Sequence, residues 1–291
     1  MSSMNIVCFG FGQVAKSFIK KMNEDRIAFK LTTTSREKTK KKKFENINYD
    51  SFQFTETSYD ENFISRLEEA DHVLLSIAPV NGADIVIKNF KNYFKSNNLK
   101  WITYLSATSV YGNHNGEWVD ENSETKPTSL NGIERLKVEK EWIKLSEKFD
   151  LPLQIFRLSG IYSNQHNILK RLKSGEAKII NKKNQFFSRI HVEDIANILH
   201  NSVNLLKKKE IYNIADDKPA SAEEVAMYGV KLLGVEKPKT VEIDDIESVM
   251  LKNFYKDSKK VNNKKMKEFF NYKLKYPTYV EGLNYIFNNS I

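Results

Sequence analysis

Two glycines carry the clearest chemistry in this chain. They stand in Asn5-Ile6-Val7-Cys8-Phe9-Gly10-Phe11-Gly12-Gln13-Val14-Ala15-Lys16-Ser17-Phe18. Ile6 to Phe9 is a short apolar run that reads as a buried strand. From Val14 the apolar period changes, since Val14, Phe18 and Met22 fall on one face of a helix. Strand, glycine turn and helix give Gly-x-Gly-x-x-Ala its meaning. Without a Cβ the backbone can approach a pyrophosphate, and the helix start offers N–H groups and a positive dipole end. Gly10, Gly12, Gln13 and Val14 form the candidate turn, and Ala15 lets the helix lie close to the strand. Some twenty residues on, an NAD site usually has Asp or Glu for the ribose 2′-hydroxyl. Here Thr33, Thr34, Ser35 and Arg36 precede the first acid, Glu37. Ser35 as hydroxyl donor and Arg36 as cation suit a 2′-phosphate, so the sequence favours NADP over NAD. Ser76, Ala78 and Pro79 follow another apolar strand, and carboxyl ends of strands are where such sheets bind ligands.

The elements that must position these residues can be read along the chain. Strands are expected at Phe29–Thr34, 48–55, His72–Pro79, Trp101–Ser106 and Leu153–Leu158. Helices are expected at Tyr59–Ala70, Asp84–Lys95 and Asn131–Phe149. This alternation predicts an α/β fold, a Rossmann-type doubly wound, mostly parallel sheet with a smaller C-terminal lobe. Residues 1–162 form the expected nucleotide-binding domain, with a returning segment near 186–218, and 163–291 the substrate-side lobe. Further expectations are a helix at Ile168–Lys173, a strand at Phe186–Val192 running into a helix through Leu206, and a strand at Ile211–Ile214. A capping box at Ser221 opens a helix that Gly234 ends. Val261–Ile291 reads as helical with a break at Pro277.

Composition sets the outer limits. The chain has 291 residues, 40% hydrophobic and 29% charged, with a formal charge of +9 and one cysteine, Cys8. A lone cysteine excludes an internal disulfide and fits the reducing cytoplasm. No apolar run is long enough to span a membrane, and the N-terminus lacks the regions of a signal peptide. The lysines are interleaved with acids. Their one dense run, Lys38 to Lys43, reads as a solvated loop, and no nucleic-acid module accompanies it. No His/Cys/Asp/Glu set has metal-ligand spacing.

Seven segments in order resemble the extended short-chain dehydrogenases/reductases. They are the glycine turn, Tyr104–Gly112, Trp118–Glu121, Arg157–Tyr162, Arg189–Ala196, Tyr212–Asp217 and Tyr276–Leu283. The resemblance is to the atypical NAD(P)-dependent epimerase/dehydratase-like branch. It implies a nicotinamide cofactor, a small-molecule substrate and a possible homodimer through the helices at 84–95 and 131–149. It also implies a catalytic Ser-Tyr-Lys set, and the chain departs from it. The Ser/Thr position is Ala107, and the Tyr and Lys positions are Asn131 and Arg135. Asn131 has no proton to exchange near neutral pH, while Arg135 can keep a ribose contact. Ser106, one residue off, should point to the opposite face of its strand; it joins the cofactor candidates with Arg135.

Tyr111 is then the best remaining acid/base candidate, set against an aromatic wall of the pocket, with an ordered water as the other proton donor. His191 reads as a core histidine and Asp194 as a helix-start residue. Trp118, Asp120 and Glu121 form a loop that either touches substrate or pins itself by burying Trp118. An Arg that binds phosphate in nucleotide-sugar members falls at Phe187, with Arg189 two residues on as a substitute on the same face. The leading expectation is an NADP(H)-dependent oxidoreductase or epimerase-like enzyme acting on a small polar or sugar-like substrate. The alternative is a cofactor-binding regulatory or partner-binding protein without catalysis.

Overall fold

The structure is a computed structural model that describes residues 3–95, 98–248, 251–252 and 255–290. Its centre is an eight-stranded sheet. The strands are β1 (Met4–Phe9), β2 (Phe29–Ser35), β3 (Lys40–Phe44), β4 (Ile47–Gln53), β5 (His72–Leu75), β6 (Trp101–Ala107), β8 (Leu153–Leu158) and β12 (Glu210–Ile214). A short strand between them in sequence, β7 (Trp118–Val119), belongs elsewhere. The order is β12-β8-β6-β5-β1-β2-β4-β3. β1 pairs in parallel with β2 on one side and β5 on the other. The strand order therefore reverses at β1/β5, which is where a sheet of this type leaves a crevice at its carboxyl edge.

The chain divides into two compact units. The first takes residues 1–106, 134–156 and 196–211. Its β1 shows why: Val7 and Phe9 alternate with Ile6 and Cys8, so both faces must be covered. Val7 and Phe9 pack with α2 (Phe63–Glu68), α3 (Ile85–Phe90) and α4 (Leu130–Phe149) through Phe63, Phe90 and Trp142. On α1 (Gln13–Glu24), Phe18 stacks on Trp101 at 5.7 Å, and the Trp101 indole donates to Ser202 of α6 (Val192–Asn204) at 2.9 Å. Asp84 caps α3 by accepting from Val86 and Ile87 N–H, and also accepts from the Trp142 indole at 2.8 Å.

The second unit takes 107–133, 157–195 and 212–291. β9 (Gly160–Tyr162) pairs with β11 (Arg189–His191), and β7 with β14 (Lys260–Val261). β10 (Ile179–Asn181) pairs with β13 (Thr240–Glu242). α5 (Ile168–Lys173) packs on α7 (Ala222–Leu233) at Gly229, where a Cβ would meet Leu172 at 2.7 Å. Ser221 caps α7 by accepting from Glu224 N–H at 2.9 Å, the Glu224 carboxylate accepts from the Tyr279 hydroxyl at 2.8 Å, and Gly234 ends α7 at φ 64°. α8 (Lys264–Phe269) and α9 (Tyr279–Ser290) flank the break at Pro277; Ile291 lies outside the described residues.

Several expected elements change. The lysine run is not a loop: Lys40–Phe44 is an antiparallel edge strand on β4. Pairing of its backbone with β4 decides this, while the lysines keep the open edge from pairing further. The helix expected at Tyr59–Ala70 shortens to α2, and that at Asp84–Lys95 to α3 plus a 3-10 turn at Tyr93–Lys95. The strand expected from Phe186 starts only at Arg189, although Phe187 bridges Ala220. No described helix is long and apolar enough to cross a membrane.

Candidate functional site

The glycine turn is built by backbone. Gly10 sits at φ 82°, and a Cβ there would stand 3.1 Å from Ser76 Oγ and 3.2 Å from Ile77 Cγ1. Its N–H donates to Thr34 Oγ1 at 3.0 Å, and Ser76 Oγ donates to Phe9 O at 2.9 Å and Gly10 O at 3.2 Å. The ends of β1, β2 and β5 are thereby tied at one point. Gly12 caps α1 without a side-chain acceptor, and a Cβ on it would meet nothing within 4 Å. Gln13 is exposed, Val14 is buried, and no acid stands in the first turn of α1. The start of α1 is an open, uncrowded cradle of N–H groups, which fits an anionic phosphate. Thr34 was not among the sequence candidates; its place at the end of β2, one residue before Ser35, was the available signal.

Around this turn, Ser35 is half-buried and accepts from Ser51 Oγ at 3.2 Å, while Arg36 is exposed. Glu37 is held by Lys40 at 2.7 Å and Lys42 at 3.1 Å, and these lysines lower its pKa. The ring of Phe11 packs on Phe44 at 5.5 Å and Tyr49 at 5.1 Å, so the β3–β4 hairpin supports the loop between the glycines. Ala78 is exposed and Pro79 half-buried, just before a tight turn that Val80 and Ala83 close. Ser106 is buried and donates to Glu139 Oε1 at 2.5 Å, so its hydroxyl is spent inside the unit. Arg135 is half-buried and donates from Nη1 to Leu105 O at 3.0 Å.

In the second unit Tyr111 is fully buried. Its hydroxyl donates to Asn213 Oδ1 at 2.7 Å and accepts from Arg157 Nη1 at 3.0 Å. The Arg157 guanidinium also lies 4.9 Å from the ring centroid. Burial pushes the phenol up to about 12, against the pull of Arg157. Tyr111 is thus a locked core side chain, placed apart from any pocket wall described below. The nearby loop is pinned by Val119, by Glu121 accepting from Asn213 N–H at 2.7 Å, and by β7–β14 pairing. Trp118 is 54% exposed, so burial of that ring is not what holds the loop. Asn131 is exposed.

A pocket of about 220 Å³ opens where β6 ends. Ala107, Ser109, Ser129, Ser159, Asp257 and Lys259 line it, with the rings of Phe186 and Phe187. Sequence reasoning missed Asp257 and Lys259, because the segments they meet in the pocket lie far away along the chain. A larger cleft of about 660 Å³ is lined by His166, Lys170, Arg171 and Arg189 among others. Arg189 does not simply replace an arginine at Phe187. Its Nη1 donates to Phe187 O at 2.9 Å and Ala220 O at 3.0 Å, so it clamps backbone. His191 is buried, with burial lowering it to about 4, and packs against Tyr276 at 4.2 Å. Asp194 accepts from Tyr272, Lys275 and Tyr276 as a structural anchor. Among the described residues, no group of three or more His, Cys, Asp or Glu could hold a metal ion.

Comparison with known proteins places this geometry. No curated protein matches the sequence. A functionally unknown conserved protein from Silicibacter pomeroyi is 30% identical, with 98% of each chain covered and a TM-score of 0.86. UDP-glucose 4-epimerase from Thermotoga maritima, solved with UDP-glucose, is 16% identical over 98% of each chain at a TM-score of 0.78. dTDP-glucose 4,6-dehydratase from Bacillus anthracis, in complex with NAD, is 18% identical over 98% of this chain and 96% of its own, at 0.76. These last two likenesses concern the fold. The model of the NAD dependent epimerase/dehydratase family matches residues 85–215. The segment 85–215 is thus similar to the NAD dependent epimerase/dehydratase family, and the order of the sheet agrees with that likeness.

Proposed function

We propose that this protein binds NADP(H) on the Gly10–Val14 turn and acts on a small polar carbonyl or alcohol without the Ser-Tyr-Lys set. The observation that carries the reading is the open cradle at Gly12, at the point where the strand order reverses. When bound, a nicotinamide dinucleotide supplies or accepts a hydride. The N–H groups of the first turn of α1 hold the pyrophosphate, and Gly10 keeps the turn tight enough for that approach. Ser35 and Arg36 hold the 2′-phosphate, with Glu37 neutralised by Lys40 and Lys42 instead of facing the ribose. Arg135 and the strand exits at Ser76, Ala78 and Pro79 shape the remaining wall, while the Ser106 hydroxyl stays with Glu139.

Tyr111 takes no part in proton transfer in this reading, because its hydroxyl is committed to Asn213 and Arg157. The pocket at Ala107 takes the substrate. Cys8, fully buried and with its thiol pushed up by burial, is inert, in keeping with a cytoplasmic protein. A homodimer through the helical segments 84–95 and 131–149 belongs to the same reading.

The test is a fluorescence titration of the purified protein with NADPH and, separately, NADH. Preference for NADPH, lost in Arg36→Asp, supports the reading. Preference for NADH overturns the 2′-phosphate assignment and keeps the turn. Binding of neither overturns both and leaves a partner-binding protein as the better account.

A further inference from the structure

The pocket at Ala107 contains a charged pair that the reading above leaves without a role. The side chain of Lys259 is only 11% exposed and that of Asp257 only 10%. Lys259 Nζ donates to Gly112 O at 3.0 Å and lies 3.7 Å from Asp257 Oδ2. Asp257 Oδ1 accepts from Thr128 Oγ1 at 2.7 Å. An ammonium has three donors. One carbonyl and one long ion pair leave it capacity for a guest in the pocket it lines.

A second, independent feature points to a ligand. The Ser159 hydroxyl is buried, lines the same pocket and has no hydrogen-bond partner among the described residues. Leaving such a group unmade is unfavourable, and a polar ligand atom would satisfy it. Ser129, by contrast, already accepts from Gly132 N–H at 3.2 Å.

Few side chains could carry the proton here. Ala107 and Asn131 cannot exchange a proton near neutral pH, and Tyr111 is buried elsewhere in the unit. Of the side chains lining the pocket, only Asp257 and Lys259 carry ionisable groups. Burial lowers the Lys259 pKa while Asp257 raises it, and the net shift is downward. A lysine shifted in this direction releases its proton more readily.

We propose that Lys259 is the proton-donating catalytic residue of this pocket, with Ser159 as the second hydrogen-bond partner of a small carbonyl or hydroxyl substrate. The proposal rests on the reading of this pocket as the substrate site. Phe186, Phe187 and Leu158 give the substrate an apolar flank. Reducing a carbonyl needs a hydride at carbon and a proton at oxygen. A bound reduced nicotinamide would supply the hydride and be left oxidised. The C=O π pair moves onto oxygen, Lys259 Nζ releases one proton to it, and the neutral amine recovers a proton from water. Oxidation of the alcohol reverses each transfer.

Trace acetylation of the full chain with acetic anhydride, read lysine by lysine between about pH 6 and 11, tests the proton-donor state. Lys259 should titrate below an ordinary exposed lysine, and Asp257→Asn should lower it further. Titration together with the exposed lysines overturns the proposal. The same protein is then titrated with NADPH and assayed for NADPH consumption with glyceraldehyde, hydroxyacetone and glyoxylate. Lys259→Met and Lys259→Arg should bind NADPH like the parent and lose about a hundredfold or more of carbonyl reduction. Arginine keeps the cation but holds its proton. Added methylamine should restore part of the rate in Lys259→Met and none in Lys259→Arg. Retained turnover in either variant overturns the proposal, as does a parent that binds NADPH but reduces none of the three. A parent that binds no NADPH overturns the cofactor reading and this proposal together.

Discussion

The glycine turn and the Lys259 pocket are made in opposite ways. The turn consists of neighbours in sequence, offers backbone N–H groups and carries no buried charge. The pocket is gathered from residues 107–129, 158–160, 186–188 and 257–261, and its polar character comes from side chains held away from water. A backbone site tolerates almost any side chain pointing away from it, so its demands fall on glycine and on small residues. A side-chain site depends on every segment that walls it. The two should therefore fail differently when perturbed.

Gly112→Ala should do the most damage. Gly112 holds φ 68° and ψ −148°, and a Cβ there would lie 1.9 Å from the Lys126 carbonyl. A loss of roughly 4 kcal/mol or more is expected in urea denaturation; a tolerated alanine would mean that the pocket wall is not rigid. Next is His191. Its folded pKa of about 4 lies below the ordinary 6.5, so its neutral form stabilises the fold fully above pH 6.5. That contribution, roughly 3 kcal/mol, is lost as pH falls from 6.5 towards 4. The stability difference between the parent and His191→Phe should shrink over this window; a constant difference would remove the buried-histidine account.

Tyr111→Phe takes a hydroxyl from between Asn213 and Arg157 and should cost about 1–3 kcal/mol. Calorimetry should show this while NADPH affinity stays unchanged, and a fall in affinity would bring Tyr111 back to the cofactor. The smallest effect on stability belongs to the turn. Gly12→Ala has an ordinary φ of −83° and open space around its Cβ, so Tm should hardly move. NADPH binding should nonetheless weaken about tenfold, roughly 1.4 kcal/mol, because the methyl group enters the cradle. Unchanged binding would separate Gly12 from the phosphate.

Much of the fold could be read from local pattern. The period switch at Val14 marks α1, Leu153–Leu158 matches β8 residue for residue, and Ser221 and Gly234 bound α7. The reading failed where pairing overrode composition. Four lysines gave no hint of a strand, yet β4 supplies a partner for their backbone. At Trp118 it left substrate contact and burial both open, and the structure leaves the ring exposed while the smaller Val119 carries the packing.

What the sequence determined by itself was most of the sheet and the glycine turn. Each rests on residues close together in the chain, where period, backbone freedom and side-chain chemistry act locally. Only the tertiary structure decided that Tyr111 is locked against Asn213 and Arg157, and that Lys259 and Asp257 share a pocket with Ala107. Those outcomes depend on which distant segments exclude water from a group and which partners they bring to it, and spacing along the chain does not encode either.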